Sequence, residues 1–302
     1  MAELIDIIPV QNTLGEGVVW DERIGAVLWT DIQESKLFRL DFATRNVEKI
    51  KLPHRLCSFA LTETPTQLLA AFDCGFALFD YRSGDLNWVA QPDSVNKTSG
   101  RRLNDGRVDP SGRFWCGGLV EAEGQDADAD LFCLEDSGAL STKETGIAIS
   151  NAICWNAGGN RMYFADSPTR AIYLYDIEQT TGEMSNRRLF AKTPEGAFPD
   201  GAVTDTHGQL WNAHWGAGQV VQYTLEGEVA QIVETPVTQP SCVAFGGPAR
   251  DILFVTSARQ GLSAEELVDD QHAGALLMYK TNTKGSAEPY FKASGLLTKN
   301  GK

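Results

Sequence analysis

Pro199-Asp200-Gly201-Ala202-Val203-Thr204-Asp205 is a carboxylate beside a glycine, then a short strand-like run, then a turn. An aromatic strand follows at Gln209-Leu210-Trp211-Asn212. The chain writes this phrase repeatedly. Gly15-Glu16-Gly17-Val18-Val19-Trp20-Asp21 is followed by Val27-Leu28-Trp29-Thr30. Asn104-Asp105-Gly106-Arg107-Val108-Asp109 is followed by Arg113-Phe114-Trp115-Cys116. Asn151-Ala152-Ile153-Cys154-Trp155-Asn156 is followed by Arg161-Met162-Tyr163-Phe164. Weaker copies begin at Cys57-Ser58-Phe59 and Ser241-Cys242-Val243. Positions 16, 57, 104, 151, 200 and 241 therefore lead six copies spaced 41 to 49 residues apart, about the length of a four-stranded propeller blade.

The pattern predicts an all-β, six-bladed propeller made of four-stranded blades, with residues 1–302 as a single domain. A closed ring must tie its ends together, because an unpaired strand edge invites aggregation. The apolar run Leu4-Ile5-Asp6-Ile7-Ile8 is expected to complete the last blade, beside Tyr290-Phe291.

In a propeller the first strand of each blade lines the central channel, so the lead column is a ring: Glu16, Cys57 or Ser58, Asn104, Asn151, Asp200 and Ser241. Four of these offer carboxylate or amide oxygens, which are hard ligands for Ca²⁺, Mg²⁺ or Mn²⁺ and serve Zn²⁺ or Fe²⁺ less selectively. A facing pair of carboxylates is costly without a cation. The same residue types also hydrogen-bond backbone at strand mouths. Spacing leaves both readings open.

Composition narrows the rest. Forty acidic and 26 basic residues give a net charge of -14, which disfavours a nucleic-acid partner. No apolar run approaches the roughly 18 residues of a membrane span. The first residues have no basic region of a secretory leader, so a cytoplasmic setting is expected. Six widely spaced cysteines without a CxxC fit buried thiols in a reducing compartment. No Gly-x-Ser-x-Gly, GxGxxG or P-loop phrase occurs. His54, His207, His214 and His272 show no metal-ligand spacing, so a His-rich zinc site is not expected. His214 is a further candidate for the pocket. Asn96-Lys97-Thr98 is read as a chance glycosylation sequon, and the acidic run from Glu121 to Asp130 as a solvated loop.

Leu14-Gly15-Glu16-Gly17, Arg102-Leu103-Asn104-Asp105-Gly106, Ser150-Asn151-Ala152, Tyr163-Phe164-Ala165-Asp166-Ser167 and Phe198-Pro199-Asp200-Gly201 carry a more specific signal. Together they resemble the signature phrases of the senescence-marker-protein-30, gluconolactonase and luciferin-regenerating-enzyme family. The resemblance covers nearly the whole chain. It implies a six-bladed propeller with one catalytic divalent cation (Ca²⁺, Zn²⁺, Mn²⁺ or Fe²⁺) in the channel, held by Glu16, Asn151 and Asp200. Arg102 and Asn104 would contact a sugar lactone, and Glu121 lies near another position of substrate contact. Two positions depart from the family's phrases: Ala152 stands where glycine is usual, and Val18 where proline is.

The activity implied is hydrolysis of an aldonolactone to the acid. A metal-activated water would attack the carbonyl, with Asp200 as general base. Two other readings use the same ring: an organophosphate or other ester hydrolase, and a cation-binding propeller without turnover. The sequence does not bear on oligomeric state.

Overall fold

The computed structural model describes residues 2–95, 100–121 and 126–297. The sequon at 96–98 and residues 122–125 of the acidic run lie outside the described residues. Six antiparallel sheets of four strands form the fold. Five of them are simple meanders in chain order. Their innermost strands, with that of the sixth, are Gly15–Asp21, Leu56–Leu61, Arg101–Val108, Ser150–Trp155, Phe198–Thr204 and Pro240–Gly246. Each inner strand packs against the next, and Pro240–Gly246 packs against Gly15–Asp21 to close the ring. Helix among the described residues is limited to one 3-10 turn, Ser167–Thr169, and two four-residue helices, Glu266–Asp269 and Ser294–Leu297.

The recurring Asp after the inner strand explains why the copies fold alike. Asp109 accepts the backbone N–H groups of Ser111 and Arg113, at 2.9 and 3.0 Å, and the Trp115 indole N–H at 3.0 Å. Asp205 does the same with His207, Gln209 and the Trp211 indole, at 2.9, 3.1 and 3.1 Å. One carboxylate thus sets the turn and anchors a fully buried tryptophan of the next strand. Apolar faces of neighbouring blades meet in the interblade layers, where Trp20 of blade one stacks on Phe254 of blade six with ring centroids 6.0 Å apart.

Glu3–Ile8 is the outer strand of the sixth sheet, as the ring argument requires. Its partner differs from the expected one. It pairs with Leu276–Lys280, running from Glu3 opposite Lys280 to Ile8 opposite Leu276. Tyr290-Phe291 instead reaches blade two, where the Phe291 N–H donates to the Leu61 carbonyl at 2.8 Å and the Phe291 ring is fully buried. Blade six spends its own chain on three strands, so the incoming terminus meets the third of them. The later segment is left over to cross beneath the ring.

Candidate metal centre

All six inner strands carry a register shift at or beside the lead position, for example between Glu16 and Val19, Asn151 and Cys154, and Pro199 and Ala202. A bulge inserts an unpaired residue and re-aims its neighbours. Here the repeated bulge coincides with the lead column.

Four of the lead residues, Glu16, Asn104, Asn151 and Asp200, line a single cavity of about 300 Å³, together with Arg102. The other two leads are spent elsewhere. The Ser241 hydroxyl donates to the Gly15 carbonyl and ties blade six to blade one. The buried Cys57 thiol faces the Arg55 carbonyl at 3.8 Å.

The amides are oriented by a continuous network. Asn151 donates through Nδ2 to Ser167 Oγ at 2.8 Å, and Ser167 Oγ donates to the Pro199 carbonyl at 2.7 Å. This links the Asn151 bulge to the strand carrying Asp200. Asn104 Nδ2 donates to the Ser150 carbonyl at 2.9 Å and to Asn151 Oδ1 at 3.2 Å. Arg102 Nη1 donates to Asn104 Oδ1 at 2.6 Å and to the Leu103 carbonyl at 2.9 Å. Asn212 supports the Asp200 bulge by donating to the carbonyls of Asp200 and Gly201, at 2.6 and 3.2 Å.

The electrostatics are dominated by uncompensated acid. Burial, reinforced by Asp105, pushes the Glu16 carboxyl up to about 8. Burial, then Glu16 and Asp105, holds the Asp200 carboxyl well above the usual carboxylate range. Asp105 itself is pushed up to about 6 by burial, although it accepts the Ile153 N–H at 2.9 Å. Arg102 offsets little of this, because its Nε is paired with Glu121 at 2.9 Å and its Nη1 serves Leu103 and Asn104. Two crowded carboxylates open to one cavity, with an amide oxygen beside them, form a donor set suited to a hard dication.

Two expected site residues sit elsewhere. Glu121 is exposed and does not line this cavity. It takes a bidentate pair from Arg55, at 2.8 and 2.9 Å, and holds Arg102 from behind. His214 is buried within blade five, with Nε2 3.0 Å from the Tyr223 hydroxyl. Burial lowers its pKa to about 4. Its neighbour Trp215 lines the cavity instead, opposite in strand parity. Trp215, Phe198, Ser167 and Gln260 lie outside the lead column, so the repeat gave no signal for them. Asp105 follows a lead residue, so the column of lead positions does not single it out.

Residues 14–259 match the family described as SMP-30/Gluconolactonase/LRE-like region. The chain is 39% identical over 286 residues to an L-arabinolactonase of Azospirillum brasilense, covering 93% of each chain. It is 31% identical to a 6-deoxy-6-sulfogluconolactonase of Pseudomonas putida, covering 94% of this chain and 97% of the relative. Among solved structures, a calcium-binding protein, regucalcin, from Agrobacterium tumefaciens superposes with a TM-score of 0.90 at 28% identity, over 96% of this chain and 98% of that one.

Proposed function

The chain belongs to the SMP-30/gluconolactonase/LRE-like family, and from that premise we propose that it is a hydrolase that opens a sugar lactone to the free aldonic acid. The observation that carries this reading is the convergence of Glu16, Asn151 and Asp200 from three blades on one cavity, with Arg102 and Asn104 beside them. Relatives named as lactonases of a pentose acid and of a substituted gluconic acid support the substrate class.

Glu16, Asn151 and Asp200 would hold one divalent cation. Oxygen donors accept Ca²⁺, Mn²⁺, Zn²⁺ or Fe²⁺, and the regucalcin likeness favours calcium. When bound, such an ion supplies Lewis acidity to the lactone carbonyl and lowers the pKa of water.

The protein's own groups do the rest. A carboxylate oxygen of Asp200 takes the proton of the attacking water and returns it to the departing ring oxygen. Arg102 faces the cavity with its guanidinium already fixed by Glu121, Leu103 and Asn104, so it meets developing negative charge without reorganising. Glu121 acts on the reaction through Arg102. Phe198 and Trp215 offer apolar surface to the C–H face of a sugar ring. Five buried cysteines that form no disulfide support a reducing, cytoplasmic setting.

The test is acid release in a pH-stat across gluconolactone, xylonolactone, arabinolactone and galactonolactone. It is run after stripping the protein and reloading it with each cation in turn. Metal-dependent release from at least one lactone is expected. No release with any cation overturns the proposal, and hydrolysis of a fluorophosphate alone moves the activity to organophosphates.

A further inference from the structure

A second cluster of ligating groups lies at the rim of blade two. His54, Asp73 and Cys74 each place one ligand atom within 4.8 Å of the others. His54 sits on the connection into the inner strand Leu56–Leu61. Asp73 and Cys74 form the tight turn between Gln67–Phe72 and Gly75–Asp80. A cavity of about 370 Å³ opens beside them, lined by His54 and Asp73 among others, and separate in its lining from the cavity of Asp200.

The blade repeat supplies an internal control. In blades one and four the second strand ends in Asp31 and Asp166, which pair with Gly15 and Ser150. Their carboxylates are spent on backbone entering the inner strand. Asp31 accepts Thr13 and Leu14 N–H at 2.8 and 3.1 Å, and Asp166 accepts Ala148 and Ile149 N–H at 3.3 and 2.9 Å. In blade two that register holds Phe72, paired with Leu56, and the carboxylate comes one residue later. Asp73 therefore does not perform the turn-holding task of its counterparts. It is 5% exposed, its Oδ2 accepts from Arg55 Nε at 3.0 Å, and its Oδ1 is buried with no hydrogen-bond partner. Burying such an oxygen unpaired costs free energy unless something binds it. The His54 ring is held against Phe72 and Trp88, with centroids 5.5 and 5.4 Å away, and is not committed to any hydrogen bond with a described residue.

We propose that His54, Asp73 and Cys74 form a second metal site, selective for a thiophilic dication such as Zn²⁺. Imidazole, carboxylate and thiolate are three zinc ligands, and the adjoining cavity leaves a fourth position for water. Binding releases the Cys74 thiol proton to solvent, so thiolate and carboxylate together balance the dication. The Arg55 charge beside the site is met by Glu121 on its far side. The all-oxygen set of Glu16, Asn151 and Asp200 and this mixed set would sort different metals. The inference does not depend on lactone hydrolysis.

Cobalt(II) separates the two sites, because only thiolate coordination gives an intense near-ultraviolet charge-transfer band. Titration of the full chain is expected to produce that band, with the intensity of one thiolate-bound cobalt per chain, in wild type and in Asp200→Asn alike. The band is expected to vanish in Cys74→Ser. In His54→Ala its affinity falls by at least the roughly 10-fold that even outer-shell partners contribute. Cys74 is also the one half-buried cysteine, the other five being buried, so zinc is expected to slow its reaction with a thiol reagent. No band in wild type, a band that survives Cys74→Ser, or labelling unaffected by zinc overturns the proposal. Cys74→Ser retains the acid release of wild type, because the Asp200 cavity is untouched.

Discussion

Asp200 is asked to be an anion in a place that favours the acid. Burial and the charge of Glu16 both raise its pKa, and only a cation or a proton relieves the pair. Asp200→Asn keeps the volume and removes the base. We expect kcat/KM to fall by at least the roughly 10²–10⁴-fold worth of a general base, because a charged metal ligand is lost with it, with the melting temperature near that of wild type. Turnover near the wild-type rate with metal still bound would take Asp200 out of the mechanism. The raised acids also fix a pH dependence. Glu16 titrates near 8 when folded against an ordinary 4.5, so the folded state binds its proton more tightly than the unfolded one. In metal-free protein that stabilisation is complete below about 4.5 and is lost as pH rises through about 8. The melting temperature of stripped protein is therefore expected to fall across that window, and that of loaded protein to fall less. Calorimetry in buffers of different ionisation enthalpy should show protons released on metal binding at pH 7. A stripped protein that gains stability with pH across the window contradicts this account.

At the scale of the strand, the bulges and the residues after the lead positions decide the site. Gly17 and Ala152 both sit at φ +58°, in the left-handed region that disfavours a side chain. A Cβ on Gly17 would meet nothing closer than 3.7 Å, so Gly17→Ala costs only the conformational penalty of about 1–2 kcal/mol. Ala152 already bears that penalty. Gly201 is different, since a Cβ there would lie 2.6 Å from Cys242 Sγ and 2.7 Å from Cys242 Cα. Gly201→Ala is expected to push two inner strands apart, displace Asp200, and lose more stability and more metal affinity than Gly17→Ala. Chemical denaturation and metal titration of the two variants test the order. Equal losses would remove the close approach of strands as the reason for the glycine. Repetition is also why the lead residues were legible: six copies in one register put Glu16, Asn104, Asn151 and Asp200 in a column, and the structure gathers them in one cavity. Parity within the second strand of blade five was not legible. His214 and Trp215 are adjacent, and only the pairing of Pro199 with His214 and Phe198 with Trp215 settles which faces inward. The place of Glu121 was hidden for another reason, since its contacts with Arg55 and Arg102 are set by long-range packing.

The whole ring depends on a join made by the far end of the chain. The need for a closing strand could be read from the absence of a sheet edge in a propeller, but its partner could not. Blade six has a 252–257 strand and a 276–280 strand separated by a connection containing Glu266–Asp269, which breaks the blade rhythm and shifts the last repeat. Glu3–Ile8 then supplies the outer strand, with half-buried Ile7 packed against the interblade core and Ile8 9% exposed. Full burial of such side chains is worth about 1.5–3 kcal/mol each. Removing residues 1–8 leaves the edge of Leu276–Lys280 open and strips that cover. A loss of about 3 kcal/mol corresponds to a fall of roughly 5–10 °C in melting temperature for a chain of this class. The exposed edge should also promote association, read as a rise in light scattering with concentration. Since Pro240–Gly246 contacts Gly15–Asp21 directly, loosening blade six loosens the strand that carries Glu16. Metal affinity is therefore expected to fall with stability in the truncated protein, although no ligand has been removed. A truncated protein that melts like wild type, stays monodisperse and binds metal equally well would show that the ring is held by its inner strands alone.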